Sequence, residues 1–320
     1  MQLNTIHHRN FLTNELPDKS ADLIIADPPY WNTKGAFDFI WPTFEDYLKD
    51  VEAWALECKR ILKDNGSLVW YGSHNKIAYS QVILDKYFAF LNNGVAHFID
   101  RQTNKNRAED TRRFINSSER WLLYAGTPDN TTAYLQEIRA YLRSEILKAK
   151  GKINFKDINE VFGTATNGGG VANAALSLNK SEPLMLSRDL YLKLQAWAAP
   201  FLSRSYEDLK SDFDLYREKY RRPFNPVEKY KLDVLRVSQE THITGRYDHE
   251  TVKPSTLTGI FINTCSRPGD LVVVPFAGSG TECEISQKYG RNFVAFEIEG
   301  KHVKTARDRV GLGSLKPTLF

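Results

Sequence analysis

Asp27-Pro28-Pro29-Tyr30 sets chemistry-bearing residue types side by side, directly after an apolar run, Leu23-Ile24-Ile25-Ala26. The run reads as a buried strand. The motif is therefore offered at a strand's carboxyl end, where open α/β sheets hold their ligands. Its residues suit the exocyclic amine of a nucleic-acid base. The Asp27 carboxylate accepts a hydrogen bond from an NH2 group. Pro28 and Pro29 stiffen the backbone and carry no N–H, which leaves a backbone carbonyl as a second acceptor. Tyr30 supplies a flat face on which a base swung out of its helix can stack. The same residues can also do no more than end a strand, since Pro cannot continue a ladder and Asp favours turns.

A second run, far along the chain, bears on that choice. Leu271-Val272-Val273-Val274-Pro275-Phe276-Ala277-Gly278-Ser279-Gly280-Thr281 reads as strand, glycine loop and helix start. Glycines let the backbone approach a ligand closely, and a helix N-terminus favours negative charge such as a carboxylate. Asn292–Glu297 reads as the next strand, and Glu297 at its tip suits ribose hydroxyls, as the acidic residue of dinucleotide folds does. The glycines do not follow the G-x-G-x-x-G spacing, and no lysine follows as in a P-loop. Taken alone, Glu297 is also an ordinary solvated acid.

These motifs need a scaffold, and the chain is long enough for one. Its 320 residues suffice for one large or two medium domains, and a hydrophobic fraction of 42% allows a real core. The formal net charge of +4 permits a nucleic-acid partner without demanding one. Cys58, Cys265 and Cys283 are widely separated and show no paired spacing, which argues against a disulfide framework or a zinc site. No metal is expected. The amino-terminal residues carry no signal peptide, and no apolar run approaches membrane-spanning length. The expectation is a cytoplasmic protein with no membrane partner.

Strand-like and helix-like segments alternate from Ala21 to Tyr124. Strands are expected at Ala21–Ala26, Ser67–Tyr71, Val95–Asp100 and Trp121–Tyr124, and helices at Phe44–Leu62 and Ile77–Lys86. Gly66 is expected to cap the helix that precedes it. From Thr127 the character turns helical: Thr131–Ala149, Ile153–Phe162, Val171–Leu178, Arg188–Ala198 and Ser205–Tyr220. The α/β pattern resumes with a helix at Ser255–Cys265, strands at Leu271–Val274 and Asn292–Glu297, and helices at Glu282–Tyr289 and Lys301–Val310. Such alternation implies a mainly parallel sheet.

Together, the Asp-Pro-Pro-Tyr motif and the Phe-x-Gly-x-Gly loop resemble the S-adenosylmethionine-dependent amino-methyltransferases of DNA. Their order, substrate motif first and glycine loop last, is that of the permuted class β. Glu15–Ile24, Arg112-Arg113-Phe114-Ile115-Asn116-Ser117-Ser118-Glu119 and His249-Glu250-Thr251-Val252-Lys253-Pro254 resemble further blocks of the family. The resemblance implies an α/β fold with a Rossmann-like methyltransferase sheet in circularly permuted motif order, carrying a mostly helical insertion. It implies a catalytic half at 1–126, a target-recognition insertion at 127–245 and a cofactor-binding half at 246–320. The implied activity is site-specific, adenine-specific methylation of double-stranded DNA at N6. Asp27, Pro28, Pro29 and Tyr30 would be catalytic. Asn10, Asp27, Thr251, Lys253, Ser255, Phe276, Ala277, Gly278, Ser279, Gly280, Thr281 and Glu297 would hold S-adenosylmethionine. Two positions depart from the family pattern. Val274 stands where an Asp usually precedes Pro-Phe, and Arg9-Asn10 stands for the usual Gly-Asp, so cofactor affinity is where these departures bear.

The insertion and a basic stretch between two strands are where the DNA contacts are expected. Phe155–Phe162, the turn after it and Gly170–Leu178 have helix-turn-helix proportions. Lys152 and Lys156 would meet phosphates, and Asn167 and Asn173 base edges. Arg101, Lys105, Arg107, Arg112 and Arg113 would lie over the DNA backbone. Solvated lysines on a plain helical scaffold, and a solvated surface loop, are the bland alternatives. Cytosine N4 is an alternative target, as is another amine or amide in RNA or protein. A DNA-binding module with a degenerate methyltransferase core is an alternative of another class. The resemblance admits a homodimer and a separately acting cognate restriction endonuclease as partners.

Overall fold

Every residue of strand β2, Ala21–Ala26, is buried, because it lies inside a sheet covered on both faces. In the computed structural model this sheet has eight strands in the order β1-β8-β7-β2-β3-β5-β4-β6. The structure describes residues 2–33, 38, 40–100, 116–128, 131–165, 170–180, 184–220, 224, 232–239 and 252–312. The described chain divides into two compact units, Met1–Thr127 with Phe224–Phe320, and Pro128–Pro223.

The first unit holds the sheet: β1 (Thr5–His8), β2, β3 (Leu62–Gly72), β4 (Ala89–Phe98), β5 (Ser118–Ala125), β6 (Val234–Val237), β7 (Leu271–Val274) and β8 (Asn292–Glu297). All neighbours pair parallel except β5, which runs antiparallel to both β3 and β4. Helix α1 (Phe44–Ile61) links β2 to β3, and α2 (Ile77–Leu84) follows β3. Thr43 caps α1 by accepting the Asp46 N–H, Glu45 and Asp46 stand in its first turn, and Lys59 and Arg60 in its last. Each charge therefore opposes the nearer end of the helix dipole. The period-2 alternation of strand side chains builds two cores. Ile24, Leu68, Trp70 and Val273 face α1. Ile25, Val69, Tyr71, Val272 and Val274 join the other cluster, with Leu257 and Ala306 from the carboxyl-terminal helices. Strands buried on both sides need no polar face, which is why they read as unbroken apolar runs.

Two strands go beyond the sequence reading. β1 and β6 are four residues each and lie at the two edges of the sheet. β6 falls within the stretch expected to be helical insertion, yet it pairs with Val95–Phe98 of β4. Gly66 is not a helix cap either. Helix α1 ends at Ile61 and the chain passes straight into β3. A Cβ on Gly66 would stand 3.0 Å from the Asp22 carbonyl and against Leu62, so the glycine is needed for close packing.

The second unit is a cluster of helices: α3 (Thr131–Lys150), α4 (Phe155–Phe162), α5 (Val171–Leu176), α6 (Arg188–Trp197) and α7 (Tyr206–Tyr220). Ile138, Ile146, Ile158, Phe162, Leu176, Leu194 and Leu209 are among those that fill its core. Asn159 of α4 locks the start of α5, its Oδ1 accepting the Ala172 N–H at 3.0 Å. The stretch from Gly163 to Gly170 that separates α4 and α5 is longer than the 3–4-residue turn of a helix-turn-helix. Asn159 pins the pair together, and the spacing between the helices departs from helix-turn-helix proportions.

Three helices complete the first unit: α8 (Ser255–Cys265), α9 (Thr281–Lys288) and α10 (Gly300–Arg309). No helix of the described residues is long and apolar enough to cross a membrane.

Candidate active site

Parallel strands deliver their carboxyl ends to one edge of the sheet, and antiparallel β5 delivers its amino end there. Asp27 follows β2, Ser73 follows β3, Pro275 follows β7 and Ile298 follows β8, while Glu119 stands at the start of β5. Between them lies a cavity of about 890 Å³, lined by residues that include Asn10, Asp27, Pro28, Pro29, Tyr30, Glu119, Lys253, Phe276, Ala277, Gly278, Ser279, Glu282 and Glu297. That volume lies within the roughly 300–1,000 Å³ typical of small-molecule sites.

Around Asp27 the polar groups are tightly knit. The Tyr30 hydroxyl donates to Asp27 Oδ1 at 2.6 Å. The Lys253 ammonium lies 2.8 Å from Asp27 Oδ2 and 3.4 Å from Glu119 Oε2, and it donates to the Tyr30 hydroxyl at 3.3 Å. Burial pulls the Lys253 pKa down, but the charges of Asp27 and Glu119 outweigh it and hold the group above the ordinary lysine range. Tyr30 is pushed well above the ordinary phenol range by burial first and by Asp27 next, so it remains a neutral donor. Its N–H donates to Asp38 Oδ1 at 2.6 Å, which fixes the backbone after the prolines. Trp31 packs edge-on against Phe44 and tilted on Tyr47, as a wall of the apolar core.

The glycine loop closes the other side. Gly278 and Gly280 take φ of +47° and +78°. A Cβ on Gly280 would come within 2.9 Å of Ala306 in α10, so only glycine fits there. Glu297 ties loop to strand, with Oε2 accepting the Gly278 N–H at 2.8 Å and Oε1 the N–H groups of Ile298 and Glu299. Phe276 stacks edge-on against Trp54 at 4.9 Å, which anchors the loop to α1.

Several expected site residues serve elsewhere. Asn10 lines the cavity, but its Oδ1 caps the following short helical turn through the Leu12 N–H. Ser255, Gly280 and Thr281 are not among the lining residues. The Arg309 guanidinium donates to Thr281 at 2.7 Å and to Ser255 at 3.3 Å, so these hydroxyls tie α10 to α8 and α9. Lys253 lines the cavity, with its ammonium engaged by Asp27, Glu119 and Tyr30. Val274 is buried in the apolar core. In the second unit Lys152 and Lys156 are exposed and Asn173 is half-buried. Thr251, Arg101, Lys105, Arg107, Arg112, Arg113 and Asn167 lie outside the described residues.

Glu282 is a site residue that sequence reasoning missed. It sits in the first turn of α9, where an acid reads as an ordinary partner of the helix dipole. It is nonetheless buried and lines the cavity, with the Thr258 hydroxyl 3.3 Å from its Oε1. Burial, and then the charge of Asp27, raises its pKa to about 7. An acid whose folded pKa exceeds its unfolded one keeps its full stability below the unfolded pKa and loses it as pH rises through the folded pKa. Glu282→Gln should therefore be more stable than the wild type at pH 8, by at most about 3 kcal/mol, with a higher melting temperature, and lose that advantage near pH 4. Melting curves at both pH values check this, and an equal difference at the two would show that Glu282 is not held against ionisation.

The chain belongs to the DNA methylase family of N6 and N4 type, whose model matches residues 21–308. It is 25% identical over 317 residues to the type II methyltransferase M.HinfI of Haemophilus influenzae, covering 94% of this chain and 66% of that protein. The chain thus spans just under two thirds of that relative's length. It is 23% identical to the DNA adenine methyltransferase YhdJ of Escherichia coli K12, covering 98% of this chain and 84% of that one. The crystal structure of the M1.HpyAVI–SAM complex superposes with a TM-score of 0.53 at 16% identity, over 96% of this chain and 98% of that one. That similarity establishes a shared α/β, Rossmann-like fold.

Proposed function

We propose that the protein moves a methyl group from S-adenosylmethionine to the exocyclic N6 amine of an adenine flipped out of double-stranded DNA, at specific sites. The observation that carries this reading is the Asp27 carboxylate, braced by Tyr30 and Lys253, in the cavity that the glycine loop and Glu297 also line.

The residues present fit the cofactor. The loop Phe276–Ser279 offers close backbone approach, and Glu297 at the tip of β8 has an acceptor role to offer ribose hydroxyls. Among the described residues, Asp27, Asp38, Asp50, Glu119, Glu297 and Glu299 line the cavity as formal anions, against Arg9 and Lys253 as formal cations. Such a lining favours a positively charged ligand over an anionic one, and Glu282 contributes a carboxyl to it although Val274 does not. When bound, S-adenosylmethionine supplies an electrophilic methyl on a sulfonium.

An adenine amine is a poor nucleophile because its lone pair is delocalised into the ring. A hydrogen bond from the amine to Asp27, and a second to the Pro28 carbonyl, would localise that pair on nitrogen. The carboxylate would then face the positive charge that grows on the nitrogen, an interaction strongest where water is excluded. In the balance, an N–C bond forms, the C–S electron pair stays on sulfur, and the nitrogen releases one proton to water. Stacking on Tyr30 would offset part of the few kcal/mol needed to extrude the base. Adenine is favoured by the Asp-Pro-Pro-Tyr form and by the name of the YhdJ relative.

Expression in methylation-deficient cells, followed by single-molecule mapping of modified bases, tests base, atom and site together. N6-methyladenine at a fixed sequence is the expected result. N4-methylcytosine would move the reading to the other amine, and cofactor binding without any modified base would mark a binding module. For target recognition we assign Lys152 and Lys156 to phosphates. The Lys152→Glu, Lys156→Glu double variant should weaken duplex binding across all sequences and flatten the salt slope by roughly one per lost contact. Binding titrations at several salt concentrations read this, and an unchanged slope would remove both lysines from the interface.

A further inference from the structure

Glu119 enters the site from β5, the antiparallel strand, and the amine-binding role given to Asp27 leaves it without work. Its Oε2 is shut off from solvent and has no hydrogen-bond partner among the described residues. The Lys253 ammonium lies 3.4 Å from it. A buried carboxylate oxygen without a hydrogen bond is costly unless charge offsets it, so the oxygen's place beside Lys253 calls for an electrostatic account.

Asp27 and Lys253 taken alone cancel. A neutral pair does little for a nitrogen that becomes positive as it accepts a methyl group. With Glu119 the trio carries a formal charge of −1, inside a cavity where charges act at low dielectric. Glu119 also shares an ammonium whose other carboxylate contact is Asp27 Oδ2. Tyr30, Tyr71 and Glu282 complete the surroundings. The Lys253 ammonium stands 5.0 Å from the Tyr71 ring centre and 5.5 Å from that of Tyr30, and Glu282 lines the same cavity.

We infer that Glu119 is a positioning residue for amine methylation: it draws Lys253 partly off Asp27 and leaves the cluster with the net negative charge that the methylated amine requires. This rests on the amine-methylation reading above. Glu119 acts through Lys253 and need not touch the base.

Charge and shape are separable at this position. Glu119→Gln keeps the shape and removes the charge, whereas Glu119→Asp keeps the charge and shortens the arm. The experiment compares both with wild type on the duplex identified by mapping, measuring the single-turnover rate of methyl transfer and, separately, the dissociation constants for S-adenosylmethionine and for DNA. The Gln variant should lose about ten- to a hundredfold in rate, less than the loss of a direct oxyanion-type contact. The Asp variant should fall between Gln and wild type, and both dissociation constants should hold. The reverse order, with Gln near wild type and Asp slow, would assign Glu119 to packing and overturn the inference. A rate loss matched by an equal loss of cofactor affinity would overturn it as well. Should the Gln variant not fold, an Asp variant that folds and transfers at the wild-type rate supports the charge role, and one slowed more than a hundredfold refutes it. A wild-type protein that methylates no amine removes the underlying reading instead, and is recognised because it fails before any variant is made.

Discussion

Asp27→Ala should reduce methyl transfer to DNA by about a thousandfold or more while leaving the affinity for S-adenosylmethionine largely intact. Removing a single electrostatic contact to developing charge costs about 100- to 1,000-fold in comparable sites, and Asp27 does more than make one contact. Its two oxygens hold the Tyr30 hydroxyl at 2.6 Å and the Lys253 ammonium at 2.8 Å. The alanine variant therefore loses the acceptor proposed for the amine, frees the Tyr30 hydroxyl and strips the Lys253 ammonium of its 2.8 Å carboxylate partner. Cofactor binding should survive because the glycine loop is held independently, by Glu297 on Gly278 and by Trp54 on Phe276. Asp27→Asn, which keeps an acceptor and loses the charge, should fall between the two. Calorimetric cofactor titration and a single-turnover methylation assay separate binding from chemistry. Full transfer by the alanine variant would sink the assignment of this motif.

Lys253→Met should cost both stability and rate. The ammonium has 6% of its side chain exposed, against 23% for Asp27 and 28% for Glu119. Removing it takes away the cation that both carboxylates contact. Stranding one member of a buried pair costs about 3–5 kcal/mol, and the partial exposure of both acids points to the low end, about 3 kcal/mol. The rate should fall as well, since Asp27 loses the group that fixes its orientation. Denaturant melts give the first effect and single-turnover kinetics the second. A variant as stable and as fast as wild type would show that the Asp27–Lys253 contact carries no weight.

The central strands and most helices were legible from local patterns because those signals are strong. β7, β8 and α8 fall where the apolar runs and turn residues put them. The short edge strands β1 and β6 were not legible, since a four-residue strand carries too few alternations to stand out. Gly66 was misread because a glycine after a helix normally signals a cap, and only the approach of the Asp22 carbonyl explains it. In the site, Asp27, Tyr30 and the glycine loop stood out as motifs, and they line one cavity. The use of the Lys253 ammonium was not legible, because its partner lies more than two hundred positions away and only the sheet brings them together. Glu119 and Glu282 look like ordinary surface acids until the antiparallel direction of β5 and the burial of the start of α9 are known.

β2 and β7 are hydrogen-bonded neighbours, Leu23 opposite Val272 and Ile24 opposite Val273, and Asp22 adds a bond to the Leu271 N–H at 3.0 Å. Most of the 320-residue chain lies between these partners. Closing so long a loop adds little to the equilibrium cost, which grows only with the logarithm of length, but non-local pairing slows folding. The substrate motif and the glycine loop thus acquire their shared cavity only when this seam zips. A chain still emerging from the ribosome holds Asp27 on a strand with no partner cavity, and the cavity is complete only once residues 271–297 have joined the sheet.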